Sequence, residues 1–177
     1  MTRRRLLVPL AAALAVGIGV YWFVVREGSA DPHVLVPRLA ARIGEGEEAV
    51  AIAANGAAVR WLPPPEDPPL PRLPLEAVPK GGRVKGPVLE QVRVLAAVPE
   101  ALRPYVAASF FGERGVDVEL TTGIEIRFGD AAQARRKWNA AAAILADPSV
   151  SALDYVNVTA PSRASYEGSE HELPAAP

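Results

Sequence analysis

The chain has 177 residues, half of them hydrophobic, and a formal net charge of −1. That length suits one modest domain with appendages and leaves no room for two full domains. The near-neutral charge offers no electrostatic footprint for nucleic acid, and the absence of Cys removes disulfides and thiolate zinc sites without deciding the compartment.

Residues 1–5 carry Arg3, Arg4 and Arg5. Residues 6–25, LLVPLAAALAVGIGVYWFVV, carry no charge. Twenty residues at ~1.5 Å rise make roughly 30 Å, the thickness of a bilayer's hydrocarbon core, so this stretch is expected to be a transmembrane helix. Arginines precede it, and Glu27 and Asp31 follow soon after. The positive-inside rule then keeps the N-terminus in the cytoplasm and places the C-terminal domain outside a single-pass plasma-membrane anchor. Tyr21 and Trp22 fall near the outer interface, where such rings prefer to sit. Gly28-Ser29-Ala30 loosely resembles a signal-peptide cleavage site, but the apolar run exceeds the usual ~7–15-residue core of a signal peptide. An uncleaved anchor is therefore expected.

Residues 26–38 form a polar, Pro-containing juxtamembrane linker, and residues 39–160 an extracytoplasmic domain. A short strand is expected at residues 39–43, then a Gly/Glu turn. Residues 49–54 and 57–61 flank Asn55-Gly56, a hairpin signal of the type I′ kind. Residues 62–79 contain PPPEDPPLPRLP, which suits neither helix nor central strand and reads as a stiff surface loop rather than an SH3 ligand. Gly86-Pro87 opens a helix to about Val98, with Val88, Val92 and Leu95 on one face. Strands follow at residues 106–111, 116–120 and 124–128. The last two form a hairpin around Thr122-Gly123, with one apolar and one charged face. Asp130 is expected to cap a helix at residues 131–146, with Gln133 in the capping-box position and Trp138 as its anchor on the sheet. A final strand is expected at residues 153–158, and residues 161–177 read as a disordered tail. The fold class is thus α+β: one N-terminal transmembrane helix, then a small antiparallel sheet with two helices.

No catalytic, cofactor or metal site emerges. His33 and His171 are far apart and poorly accompanied. Glu45, Glu47 and Glu48 lack the spacing of an EF-hand loop and read as a solvated turn. Gly81-Gly82 reads as a turn and not as a phosphate loop. Asn157-Val158-Thr159 matches a glycosylation sequon but falls in an expected strand. A binding role without a small-molecule ligand is favoured over an enzyme.

Several stretches in order resemble the FtsQ (DivIB) family of bacterial division proteins. They are AVAIAANGAAV (residues 49–59), Leu73-Pro74, VLAAVPEAL (residues 94–102), GIEIRFGD (residues 123–130) with Lys137 and Leu145, and Tyr155-Val156-Asn157-Val158. Asn157 stands where the family has Asp, and Thr159 where it has Arg. The resemblance implies a bitopic divisome scaffold with a cytoplasmic end, one membrane span, a POTRA domain and a β domain that binds FtsB- and FtsL-type membrane partners at the septum. A linker of about a dozen residues is too short for a POTRA domain, so that module is absent or vestigial. The partner would add by β-augmentation to an edge strand at Leu153, Asp154, Tyr155, Val156, Asn157 and Val158. Tyr155 reads either as the side-chain anchor of that partner or as a cover for the sheet. The alternative is a membrane-anchored cell-envelope enzyme, or an assembly adaptor unrelated to division.

Overall fold

The structure is a computed structural model and describes residues 37–173. The expected membrane span at residues 6–25 lies outside the described residues.

Three short strands open the domain: β1 (Leu39–Ile43), β2 (Val50–Ala53) and β3 (Ala58–Val59), all antiparallel. Small side chains suit this sheet because both of its faces are covered. Ala41, Ile43 and Ile52 face the main core, while Ala51, Ala53 and Val59 pack under Leu39, Leu62 and Leu70. The β2–β3 turn differs from the type I′ expectation. The Gly56 amide donates to Ala53 O at 2.8 Å and Gly56 has φ +82°, but Asn55 does not enter the left-handed region. This is a type I turn closed by a left-handed glycine, in which Asn55 Oδ1 accepts from the Ala57 amide at 3.0 Å. The 121–123 hairpin repeats the pattern, with the Gly123 amide donating to Leu120 O at 2.9 Å and φ +91° at Gly123.

The second sheet has five strands in chain order: β4 (Val106–Gly112), β5 (Gly115–Leu120), β6 (Glu125–Gly129), β7 (Ala152–Asn157) and β8 (Ser165–Glu172). The Pro-rich stretch joins the two sheets. The Arg42 amide donates to Pro71 O and the Leu73 amide to Arg42 O, both at 2.9 Å. On the other side the Arg72 amide donates to Ala107 O at 2.9 Å, and the Ser109 amide to Arg72 O at 3.0 Å. Residues 71–73 therefore act as a strap between β1 and β4, where a surface loop alone was expected. The prolines do not prevent this, because Arg72 and Leu73 supply the amides and Pro71 only a carbonyl. Leu73 is thereby fully buried in the core.

Helix α1 (Gly86–Ala96) packs on β1, β4 and β5, and α2 (Ala134–Leu145) on β6 and β7. Trp138 is fully buried, 5.2 Å from the Phe128 ring, and its indole N–H donates to Val94 O of α1 at 2.9 Å. It therefore ties both helices to the sheet, as its place in the apolar stripe suggested. The start of α2 is later than expected. Gln133 precedes it in the left-handed region (φ +54°), and no side chain caps it. Asp130 instead accepts from the Ala132 amide at 3.0 Å and from Lys137 Nζ at 2.7 Å. Lys137 is almost wholly buried and also donates to Phe128 O and Asp130 O, at 3.0 and 2.9 Å.

The expected fold class needs correction. Among the described residues no helix is long and apolar enough to cross a membrane. Nor is the sheet purely antiparallel. The chain passes through α2 between β6 and β7, so those strands run parallel, with Glu125 opposite Tyr155 and Ile126 opposite Val156. Residues 165–172, expected in a disordered tail, form β8 antiparallel to β7.

Two substitutions at one position test the strap. The Arg72 side chain makes only an exposed pair with Glu45 (2.6 Å), so Arg72→Ala is expected to cost under about 1 kcal/mol. Arg72→Pro also removes the amide bonded to Ala107 O and is expected to cost about 1–3 kcal/mol more. Denaturant unfolding reads both, and equal losses would contradict a backbone role.

Candidate functional site

The expected partner strand is not an edge. Leu153, Asp154, Tyr155, Val156 and Asn157 belong to β7, with β6 on one side and β8 on the other, and the Val158 amide just beyond donates to Arg127 O at 3.0 Å. Leu153, Val156 and Val158 are core residues. Tyr155 donates its hydroxyl to Glu167 Oε2 at 2.6 Å, with the Arg127 guanidinium 3.5 Å from its ring centroid. Arg127 Nε in turn donates to Glu125 Oε1 at 2.7 Å. The Glu167 bond raises the Tyr155 pKa, and that with Glu125 raises the Arg127 pKa. Of the two readings of Tyr155, the geometry matches a side chain that covers the sheet. Asn157 Oδ1 accepts from the Thr159 amide and hydroxyl, at 3.1 and 2.7 Å.

Among the described residues the sheet ends instead at β8, which has a neighbouring strand on one side only. Seven of its eight residues are exposed, and Tyr166 is 49% exposed. Glu167, Glu170 and Glu172 make the strand acidic. A bulge interrupts its pairing at Gly168, whose φ is +101°. The Asp154 carboxylate fills the space where a Cβ at Gly168 would stand and accepts from the Ser169 and Glu170 amides, at 3.0 and 2.7 Å. Only glycine fits there. His171 stands opposite Leu153, and its ring packs under Gly123. Sequence pattern gave no sign of β8, because neither of its faces is buried and periodicity in SYEGSEHE is therefore lost. The signal lay in its partner: Asp154 accepts two hydrogen bonds from it and Tyr155 donates one to it.

The other edges are better covered. Residues 82–84 run along β3, with the Ala58 amide donating to Gly82 O and the Val84 amide to Gly56 O, both at 2.9 Å. The strap lies against β1 and β4.

Among the described residues no group of three His, Cys, Asp or Glu side chains could hold a metal. A groove of about 680 Å³ is an open trough lined by Gln133, Arg136, Asn139 and Thr159 among others. Asp117 of β5 is a nearly buried carboxylate. It is 8% exposed, its Oδ1 has no partner, and it lines a space of about 180 Å³ with Glu113, Arg114 and Arg127. Burial, then the nearby Glu125, push its pKa up. No family model and no curated protein matches the chain.

The Asp117 environment sets a pH dependence. A carboxyl whose folded pKa exceeds its unfolded value stabilises the fold below the unfolded value, and that contribution is lost as pH rises through the folded pKa. Asp117→Asn is therefore expected to raise the thermal midpoint at pH 7, with the advantage gone below the ordinary value of 3.8. Thermal melts of both proteins across pH check this, and a difference that does not vary with pH would contradict it.

Proposed function

We propose that the chain is a scaffold of the bacterial division apparatus. In this reading it is held at the plasma membrane by the apolar stretch at residues 6–25, with its domain on the outer side. It captures FtsB- and FtsL-type membrane proteins at the septum by accepting a partner strand along the outer edge of β8.

The observation that carries the binding mode is the row of backbone groups on β8 with no strand beside them among the described residues. An added strand would satisfy those groups, and Tyr166 offers an exposed ring beside them. The division reading rests on the FtsQ-like stretches. The quoted segments support it by their place in the domain: residues 49–59 hold the β2–β3 hairpin, residues 123–130 the strand β6, and Tyr155 to Asn157 the strand that supports the edge. The Lys of the helix stretch, Lys137, locks the end of β6 through its bonds to Phe128 O and Asp130 O.

The test uses two neighbours on β8. Adjacent residues of a strand turn their amides to opposite sides, so of Tyr166→Pro and Glu167→Pro one breaks a bond to β7 and the other removes an outward donor. The first is expected to lower the thermal midpoint. The second is expected to keep the fold and lose at least tenfold in co-purification of FtsB- and FtsL-type partners, together with the midcell band of a fluorescent fusion. Undiminished capture by the folded variant would reject the β8 edge. A uniform envelope signal from the wild-type fusion would reject the division reading.

A further inference from the structure

Four exposed cations from separate stretches of chain lie around the small sheet: Arg38, Lys80, Arg83 and Lys85. The backbone brings three of them to the Asn55-Gly56 turn. The Ala54 amide donates to Arg38 O at 2.8 Å, so Arg38 lies beside the Asn55-Gly56 turn. Arg83 pairs opposite Ala57 on the far side of that turn. Lys85 directly follows Val84, whose amide donates to Gly56 O, at the mouth of α1; Lys80 sits farther from that turn, beyond Gly82, in the tight turn closed by the Gly82 amide on Pro79 O at 2.8 Å. Residues 37–38, 49–59 and 77–89 contain no Asp or Glu, and among the described residues no ion pair engages any of the four. In a chain of net charge −1, this is a segregated positive rim.

Two details mark it as more than a solvated surface. Lys85 stands at the N-cap of α1, where the helix dipole is positive, a carboxylate would be stabilising and a cation is not. A position that breaks a local rule without local compensation points to another use of the charge. The turn beside it is also closely packed. Gly56 is so closed in that a Cβ there would stand 2.8 Å from Leu89 Cδ1 of α1 and 3.2 Å from Val84.

We propose that this rim docks on anionic phospholipid headgroups and sets the orientation of the domain on the membrane surface. The proposal rests on the membrane reading given above. Arg38 is the second described residue, and residues 26–36, which separate the apolar stretch from Pro37, span at most roughly 40 Å when extended. Arg38 is thus the described cation nearest in sequence to the apolar stretch. The rim's charge complements an anionic leaflet, and each cation near such a surface shifts the docked population about fivefold. The acidic β8 edge is left for a partner.

The chain has no Cys, so one introduced thiol reports cleanly. Gly81 is exposed, lacks a positive φ, and has nothing within 4 Å of a Cβ there. The full chain with Gly81→Cys, fluorescently labelled, is placed in vesicles that carry a headgroup-attached quencher. A Ser169→Cys protein serves as the β8 control. Quenching at position 81 is expected to be strong in phosphatidylglycerol-rich vesicles. It should fall several-fold in pure phosphatidylcholine and again near 1 M salt, where the Debye length is about 3 Å. Position 169 should stay unquenched throughout. The combined Arg38→Gln, Lys80→Gln, Arg83→Gln and Lys85→Gln variant should keep its thermal midpoint and lose the effect. Equal quenching in both lipids, or an unchanged variant, would overturn the proposal. Flotation separates the two failures. A chain that floats with both vesicle types but shows no quenching at 81 rejects the rim alone. A chain that floats with neither rejects the membrane reading and the rim with it.

Discussion

The four backbone hydrogen bonds of the 71–73 strap hold the rest of the architecture in place. Without them β1–β3 is a small sheet of very short strands, and such a sheet is marginal in water. With them β1 and β4 share one interposed segment, Leu73 enters the core, and α1 can lie across both sheets. Prolines around the strap stiffen it before folding and so reduce the entropy lost on ordering. Leu62 and Leu70, at either end of the same Pro-rich run, cover the other face of the small sheet. One unpromising stretch of sequence thus closes two edges and one face.

Closing those edges leaves β8 as the long open one. Its design fits a strand that must be available without being sticky. It is acidic, it is broken by a bulge at Gly168, and the bulge is filled by Asp154 from the neighbouring strand. Charges and bulges of this kind discourage chance edge-to-edge pairing while leaving backbone groups for a partner that supplies matching side chains. In the function proposed above, the basic rim and the acidic edge divide two tasks, one toward lipid and one toward protein.

Much of the outer domain was legible from the order of apolar residues. Val116, Val118, Leu120, Ile126 and Phe128 alternate with charged residues, and all five are buried. Trp138 in a helical stripe announced the helix anchor. What stayed hidden has physical reasons. The strap was masked by prolines, whose breaking rule applies to their own amides and not to those of Arg72 and Leu73. The parallel β6–β7 pair depends on a crossover that pattern alone does not orient. The true edge is hidden because a strand exposed on both faces has no periodicity, so the pattern ends at β7, although its Val156 and the adjacent Val158 are wholly buried. Asp130 looked like a helix cap because its chemistry suits one, but Lys137 claims it first.

Residue-resolved amide hydrogen exchange of the full chain tests the central claim most directly. The account predicts slow exchange for the Arg72 and Ser109 amides and for those of β7 on both sides. It predicts fast exchange for the alternate β8 amides that face outward, slowed on addition of a partner. Fast exchange along the whole of β7, or at Arg72 and Ser109 while the strands remain protected, would contradict a strapped sheet whose open edge is β8.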